Sequence, residues 1–235
     1  MRKQAFLEPT FEGAAFWDSF RERKPVRRVV TKRRKRIVGK VVSAKMGRLI
    51  PWESQLERDY MYLLEANPQV IAYFAQPERL PYLLRGQRHT YVPDLEIVWT
   101  DNRRSIEEVK YEEDAADPEN QEAFAVFRRL YAEDGITYRV VTETTIRRQP
   151  QLSNVRKLLR HRLCRPSPAQ MKAVDRLISG TRSATYDELV KALAALADSP
   201  ADLLGWLILN GHFDFDRSRH LTLVTPITPT WRAAA

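Results

Sequence analysis

Leu95-Glu96-Ile97-Val98-Trp99, then Thr100-Asp101-Asn102-Arg103-Arg104, then Ile106-Glu107-Glu108-Val109-Lys110 form two strand-like runs around a cluster of turn formers, which predicts an antiparallel hairpin. Pro93-Asp94 leads into the first strand, so pairing brings Asp94 and Glu108 together at one end of it. Glu108 and Lys110 are two apart and share a strand face, whereas Val109 points to the other face and can enter a core. Glu107 is the competing acid, and the same alternation turns it away from Lys110. Two close carboxylates repel unless a divalent cation neutralises them. Mg²⁺ suits such a pair, with Mn²⁺ as a substitute, because it prefers carboxylate oxygens and keeps waters, one of which can attack a phosphodiester. Lys110 would orient or deprotonate that water, or stabilise the charge that develops on phosphorus. The plain alternative is a hairpin whose acids and lysine form a solvated ion pair.

Upstream, Leu56, Tyr60, Leu63 and Leu64 recur at helical spacing within Ile50 to Glu65, and Asn67-Pro68 ends that helix. Val70–Phe74 and Leu80–Leu84 read as strands, and Arg85-Gly86-Gln87-Arg88 as a turn into His89–Val92. Downstream, Glu122–Glu133 carries apolar residues on a helical period and leads to a strand at Ile136–Val141. A strand reached through a helical crossover implies a mixed sheet with helices packed on it, an α/β domain. A basic helix over Asn154–Leu163 precedes Arg165-Pro166-Ser167-Pro168, where Ser167 suits an N-cap and Pro168 the first helical position. Three helices follow, at 169–178, 189–197 and 201–210, then a hairpin from 211–216 and 220–224, which together read as a winged helix. The expected organisation is an arm over 1–48, an α/β domain over 49–163 and a winged helix over 166–235.

The chain has 235 residues and a formal charge of +9, and residues 21–48 concentrate that charge, with Glu22 as their sole acid. Arg33, Arg34, Lys35, Arg36, Lys45 and Arg48 are the candidate DNA contacts of this arm, and salt-dependent DNA affinity is expected. Arg156, Lys157, Arg160, Arg162 and Arg165 form a second basic run suited to DNA backbone. The single cysteine, Cys164, reads as a structural thiol, and the four histidines lack ligand spacing, which argues against structural zinc. There is neither an apolar run of membrane length nor a signal-peptide core near Met1, so a cytoplasmic, nucleoid-associated protein is expected.

Pro93-Asp94 with Glu108-Val109-Lys110 resembles the PD-(D/E)xK signature of restriction-endonuclease-like folds. Ser54-Gln55-Leu56-Glu57-Arg58-Asp59, Phe74-Ala75-Gln76-Pro77, Tyr91-Val92-Pro93-Asp94 and Val141-Thr142-Glu143 narrow the likeness. With Ser43-Ala44-Lys45-Met46-Gly47-Arg48, they resemble TnsA-type transposon endonucleases over about residues 40–160. The resemblance implies a bacterial Mg²⁺-dependent endonuclease that hydrolyses one strand at transposon ends. Its partners would be a DDE-type transposase subunit and an AAA+ ATPase regulator. It also implies that Glu57, Asp94, Glu108 and the Val109 carbonyl hold metal and that Lys110 is catalytic. Gln76 and Glu143 are candidates for supporting the site, and a strand-end or turn role suits either equally well. Two other readings remain open: a stand-alone restriction, phage or repair nuclease of this fold, and a DNA-binding regulator with an inactive α/β domain.

Overall fold

A computed structural model describes residues 23–26, 37–180 and 183–230. Arg33, Arg34, Lys35 and Arg36 lie outside the described residues. The chain's contacts group it into two compact units, one made of residues 1–53 and 69–141, the other of 54–68 and 142–235.

In the first unit, β1 (Gly39–Ser43) and β2 (Arg48–Trp52) form an antiparallel hairpin where the sequence suggests the end of a basic arm. Val41 and Ile50 are paired and buried, while the neighbouring Val42 is exposed. Gly39 sits against the Trp52 ring, where a Cβ would approach within 2.5 Å.

The central sheet has the order β3 (Val70–Ala75), β6 (Leu95–Trp99), β7 (Arg104–Lys110), β8 (Thr137–Thr142). β6 is antiparallel to both β3 and β7, the second pairing being the one the hairpin pattern predicts. β4 (Leu80–Leu84) and β5 (Gln87–Tyr91) make a separate hairpin. Its turn is the pair Arg85-Gly86, both at positive φ, which is the two-residue geometry that matches strand twist. β5 therefore starts at Gln87, two residues earlier than expected.

β8 is reached through α2 (Glu112–Ala116) and α3 (Pro118–Ala132). The acidic stretch between β7 and β8 is helical because Asp117 caps α3, accepting from the Glu119 and Asn120 N–H groups, with Pro118 at its first position. Phe124, Phe127 and Tyr131 of α3 pack with Leu80, Ile106, Ile136 and Tyr138. The helix thus covers the sheet face that carries Ile106.

In the second unit, α1 (Gln55–Glu65) is capped by Ser54, whose Oγ accepts from the Glu57 N–H at 3.0 Å. Its buried Asp59 receives Arg58 at 2.9 Å, Arg156 of α5 (Gln151–Leu158) at 2.7 Å and Arg147 at 3.1 Å, the last following α4 (Glu143–Ile146). Arg156 is therefore an internal tie, and so is Lys157, whose Nζ donates to the Leu221 carbonyl. Burial alone would raise the Asp59 pKa, but the hydrogen bonds from Arg156 and Arg58 outweigh it and hold the carboxyl below its ordinary value. A lowered folded-state pKa contributes stability that is complete above the unfolded value, about 3.9, and is lost as pH falls through the folded one. The stability gap between wild type and Asp59→Asn should therefore be constant near neutrality and shrink only below about pH 4. Chemical denaturation at several pH values measures it.

Three helices, α6 (Pro168–Gly180), α7 (Tyr186–Leu193) and α8 (Pro200–Leu209), share a core with α5, Phe213 and Ile227. Thr185 and Glu188 complete a capping box at α7, as their spacing predicts. A small sheet of order β10 (Phe213–Asp214), β11 (Pro226–Pro229), β9 (Ala184–Thr185) accompanies them. The return strand expected at 220–224 does not form. Leu221 donates its N–H to Asn154 Oδ1 and Thr222–Thr225 closes a turn, leaving Leu223 and Val224 exposed. The strand instead runs between two prolines, residues that argue against a strand when read from sequence.

Gly205 of α8 lies against His161, which hydrogen-bonds Asp202 at 2.6 Å. An alanine Cβ there would come within 2.3 Å of the imidazole. Gly205→Ala should cost about 1–3 kcal/mol, measured by the shift in denaturation midpoint.

Candidate active site

The site begins with two register relations. Pairing of Leu95 with Glu107 runs on to set Asp94 across from Glu108, and pairing of Ala75 with Leu95 runs on to set Gln76 across from Asp94. Residues directly opposite in an antiparallel ladder share a face. Asp94 is fixed from both neighbours: its Oδ2 accepts from the Val109 N–H at 2.9 Å, and its carbonyl accepts from the Gln76 N–H at 2.9 Å.

Glu108 is 4% exposed. Lys110 Nζ lies 2.7 Å from its Oε1, and the Tyr91 hydroxyl donates to its Oε2. Tyr91 stacks on Phe127 of α3 and lies 3.4 Å from the Tyr138 hydroxyl. Burial and then the Glu108 charge push the Tyr91 pKa well up, so the phenol remains a donor. Burial would lower the Lys110 pKa, but Glu108 and Asp94 together overcome it and raise the value above that of a free lysine. Asp94, Glu108 and Lys110 are thus brought together where β6 and β7 meet, as the hairpin reading predicts.

Glu107 is fully buried on the opposite face, bonded by Arg139 and by Ser105 Oγ at 3.0 Å. It is an anchor of β8 to β7 and does not compete for the site. Glu57 sits in the first turn of α1 and Glu143 opens α4, both in the other unit. Lys45 Nζ donates to the Val70 carbonyl, while Arg48 donates to the Arg23 carbonyl at 2.6 Å and lies over the Phe74 ring. The thiol of Cys164 is pushed up in pKa by burial and then by Asp202, which fits a structural role.

Sequence reasoning missed Tyr91 and Tyr138. Tyr91 follows the exposed, polar Gln87–Thr90, and only the packing of α3 against it reveals the direction of its hydroxyl.

The donor chemistry suits a hard cation. Asp94 and Glu108 supply carboxylate oxygens with Lys110 as the nearby cation, and an all-oxygen set of this kind matches Mg²⁺, which keeps much of its water. Among the described residues no three His, Cys, Asp or Glu side chains surround a common point. No helix among the described residues is long and apolar enough to cross a membrane.

Comparison with protein families matches residues 67–143 to the model described as TnsA-like endonuclease N terminal. That is about a third of the chain, running from just before β3 to the first residue of α4. It includes Gln76, Asp94, Glu108, Val109, Lys110 and Glu143, and begins after Glu57. No curated protein matches the chain.

Proposed function

We infer that this chain, which carries a TnsA-like endonuclease N-terminal domain in residues 67–143, is a divalent-metal-dependent DNA endonuclease that hydrolyses phosphodiester bonds at transposon ends. The observation that carries the reading is the pairing of Asp94 with Glu108 and Lys110 at one end of the central sheet, inside the matched segment. Asp94, Glu108 and the Val109 carbonyl would hold Mg²⁺, with Mn²⁺ able to replace it. Bound there, the cation would polarise the scissile phosphate and lower the pKa of an attacking water.

The chain's own groups define the rest. The Val109 N–H holds the Asp94 carboxylate in one orientation, and Tyr91 does the same for Glu108. Lys110 supplies a compact positive charge beside the carboxylates, where it can meet the charge that builds up on the phosphate oxygens. Its side chain is about one-third exposed, which leaves the ammonium open to a substrate.

The basic arm supplies the sequence-independent attraction to DNA. The C-terminal helices and sheet follow a winged-helix order, helix–β9–helix–helix–β10–β11, which supports a docking module for DNA or protein. A DDE-type transposase subunit and an AAA+ ATPase regulator are the proposed partners. The direct test is nicking of supercoiled plasmid by the full chain with Mg²⁺ and with a chelator. Mg²⁺-dependent nicking is expected, and equal nicking in the chelator would exclude a metal-dependent nuclease.

A further inference from the structure

The Gln76 main chain holds the Asp94 carbonyl, but its side chain is an anomaly at the edge of the site. The residue is 4% exposed, and its side-chain Oε1 is buried with no hydrogen-bond partner among the described residues. A buried acceptor left unpaired is costly, and sequences remove such groups unless something supplies a donor. Its backbone is also held at φ 52°, in the left-handed region that favours glycine, directly before Pro77. The main chain explains the position: the Gln76 N–H donates to the Asp94 carbonyl, and its carbonyl accepts from the Val26 N–H. Neither contact needs a glutamine side chain. Strain and an orphaned acceptor therefore coincide at the residue in register with Asp94, which is itself in register with Glu108.

We propose that Gln76 is a positioning residue of the metal site, its amide Oε1 accepting a hydrogen bond from the water shell of the divalent cation at Asp94. An amide oxygen suits this place: it adds an acceptor without a third negative charge beside two carboxylates. The proposal rests on the reading of Asp94 and Glu108 as cation ligands and extends it to a third strand. Partners of this kind commonly contribute about 10–100-fold to metal affinity.

The test is calorimetric titration of Mn²⁺ into the full chain as wild type, Asp94→Ala, Gln76→Met and Gln76→Glu, with the metal-free melting temperature of each. Gln76→Met, similar in size but without the acceptor, should bind Mn²⁺ about tenfold more weakly while melting no lower than wild type without metal. Gln76→Glu, which keeps an oxygen there, should bind at least as tightly as wild type. Unchanged affinity in Gln76→Met, with binding lost in Asp94→Ala, would overturn the role of Gln76 and leave the site standing. Weakened binding in both Gln76 variants together with lower metal-free melting would overturn it too, in favour of a packing role. Binding in Asp94→Ala equal to wild type, or absent from wild type, would overturn the site itself.

Discussion

Lys110→Ala is expected to lower the single-turnover rate of DNA cleavage by about a thousandfold while leaving DNA affinity nearly unchanged. The ammonium lies 2.7 Å from Glu108 Oε1, at the point where the two carboxylates meet. An alanine leaves that spot without a positive charge when charge develops on the phosphate. Arginine should not restore the rate, because a planar guanidinium cannot occupy the place of a compact ammonium held this close to Glu108. Binding measured by fluorescence anisotropy separates the two effects, since DNA attraction is spread over many basic residues. A near wild-type rate for Lys110→Ala would remove this lysine from the chemistry.

The second large effect concerns stability. Arg139→Ala should lower the free energy of unfolding by about 3 kcal/mol, because it strips the guanidinium from a carboxylate that is fully buried. Ser105 Oγ would remain as a donor to Glu107 but does not neutralise it. Glu107→Gln removes the charge together with the need to compensate it, so it should cost less and should cleave DNA normally per folded molecule. Urea denaturation of the two variants measures the difference. A cleavage defect in Glu107→Gln, unaccompanied by unfolding, would mean that the acids of β7 have been assigned to the wrong faces.

Much of the candidate site was legible because a strand's period of two is strict. Once β6 and β7 are paired, Asp94, Glu108 and Lys110 must converge and Glu107 must turn away. The roles of Tyr91 and Gln76 were not legible in the same way. Tyr91 depends on α3 covering one face of the sheet, and the oddity of Gln76 lies in a left-handed φ and an unpaired atom, neither of which leaves a mark on composition.

The same distinction runs through the fold. Alternation in β1 and β2 was masked because Lys40 holds an outward position and Arg48 sits on the face of Ile50 and Trp52, so a hairpin read as a charged arm. β11 was hidden by Pro226 and Pro229, and Leu221–Val224 took its place in the reading because those residues look strand-like. Leu221 is indeed buried, but as an anchor to Asn154 and not as part of a ladder. Arg156 was legible as basic and not as the partner of Asp59, because ninety-seven residues separate them.

Whether Asp94 is essential to cleavage is measured by nicking of supercoiled plasmid in Mg²⁺ by wild type and by Asp94→Ala, with DNA affinity measured in parallel. Asp94 is fixed by the Val109 N–H on one side and by Gln76 on the other, so its replacement removes the proposed metal ligand without removing a basic residue. The wild type should nick, the variant should not, and both should bind DNA equally. Nicking by Asp94→Ala at the wild-type rate would contradict that role for Asp94.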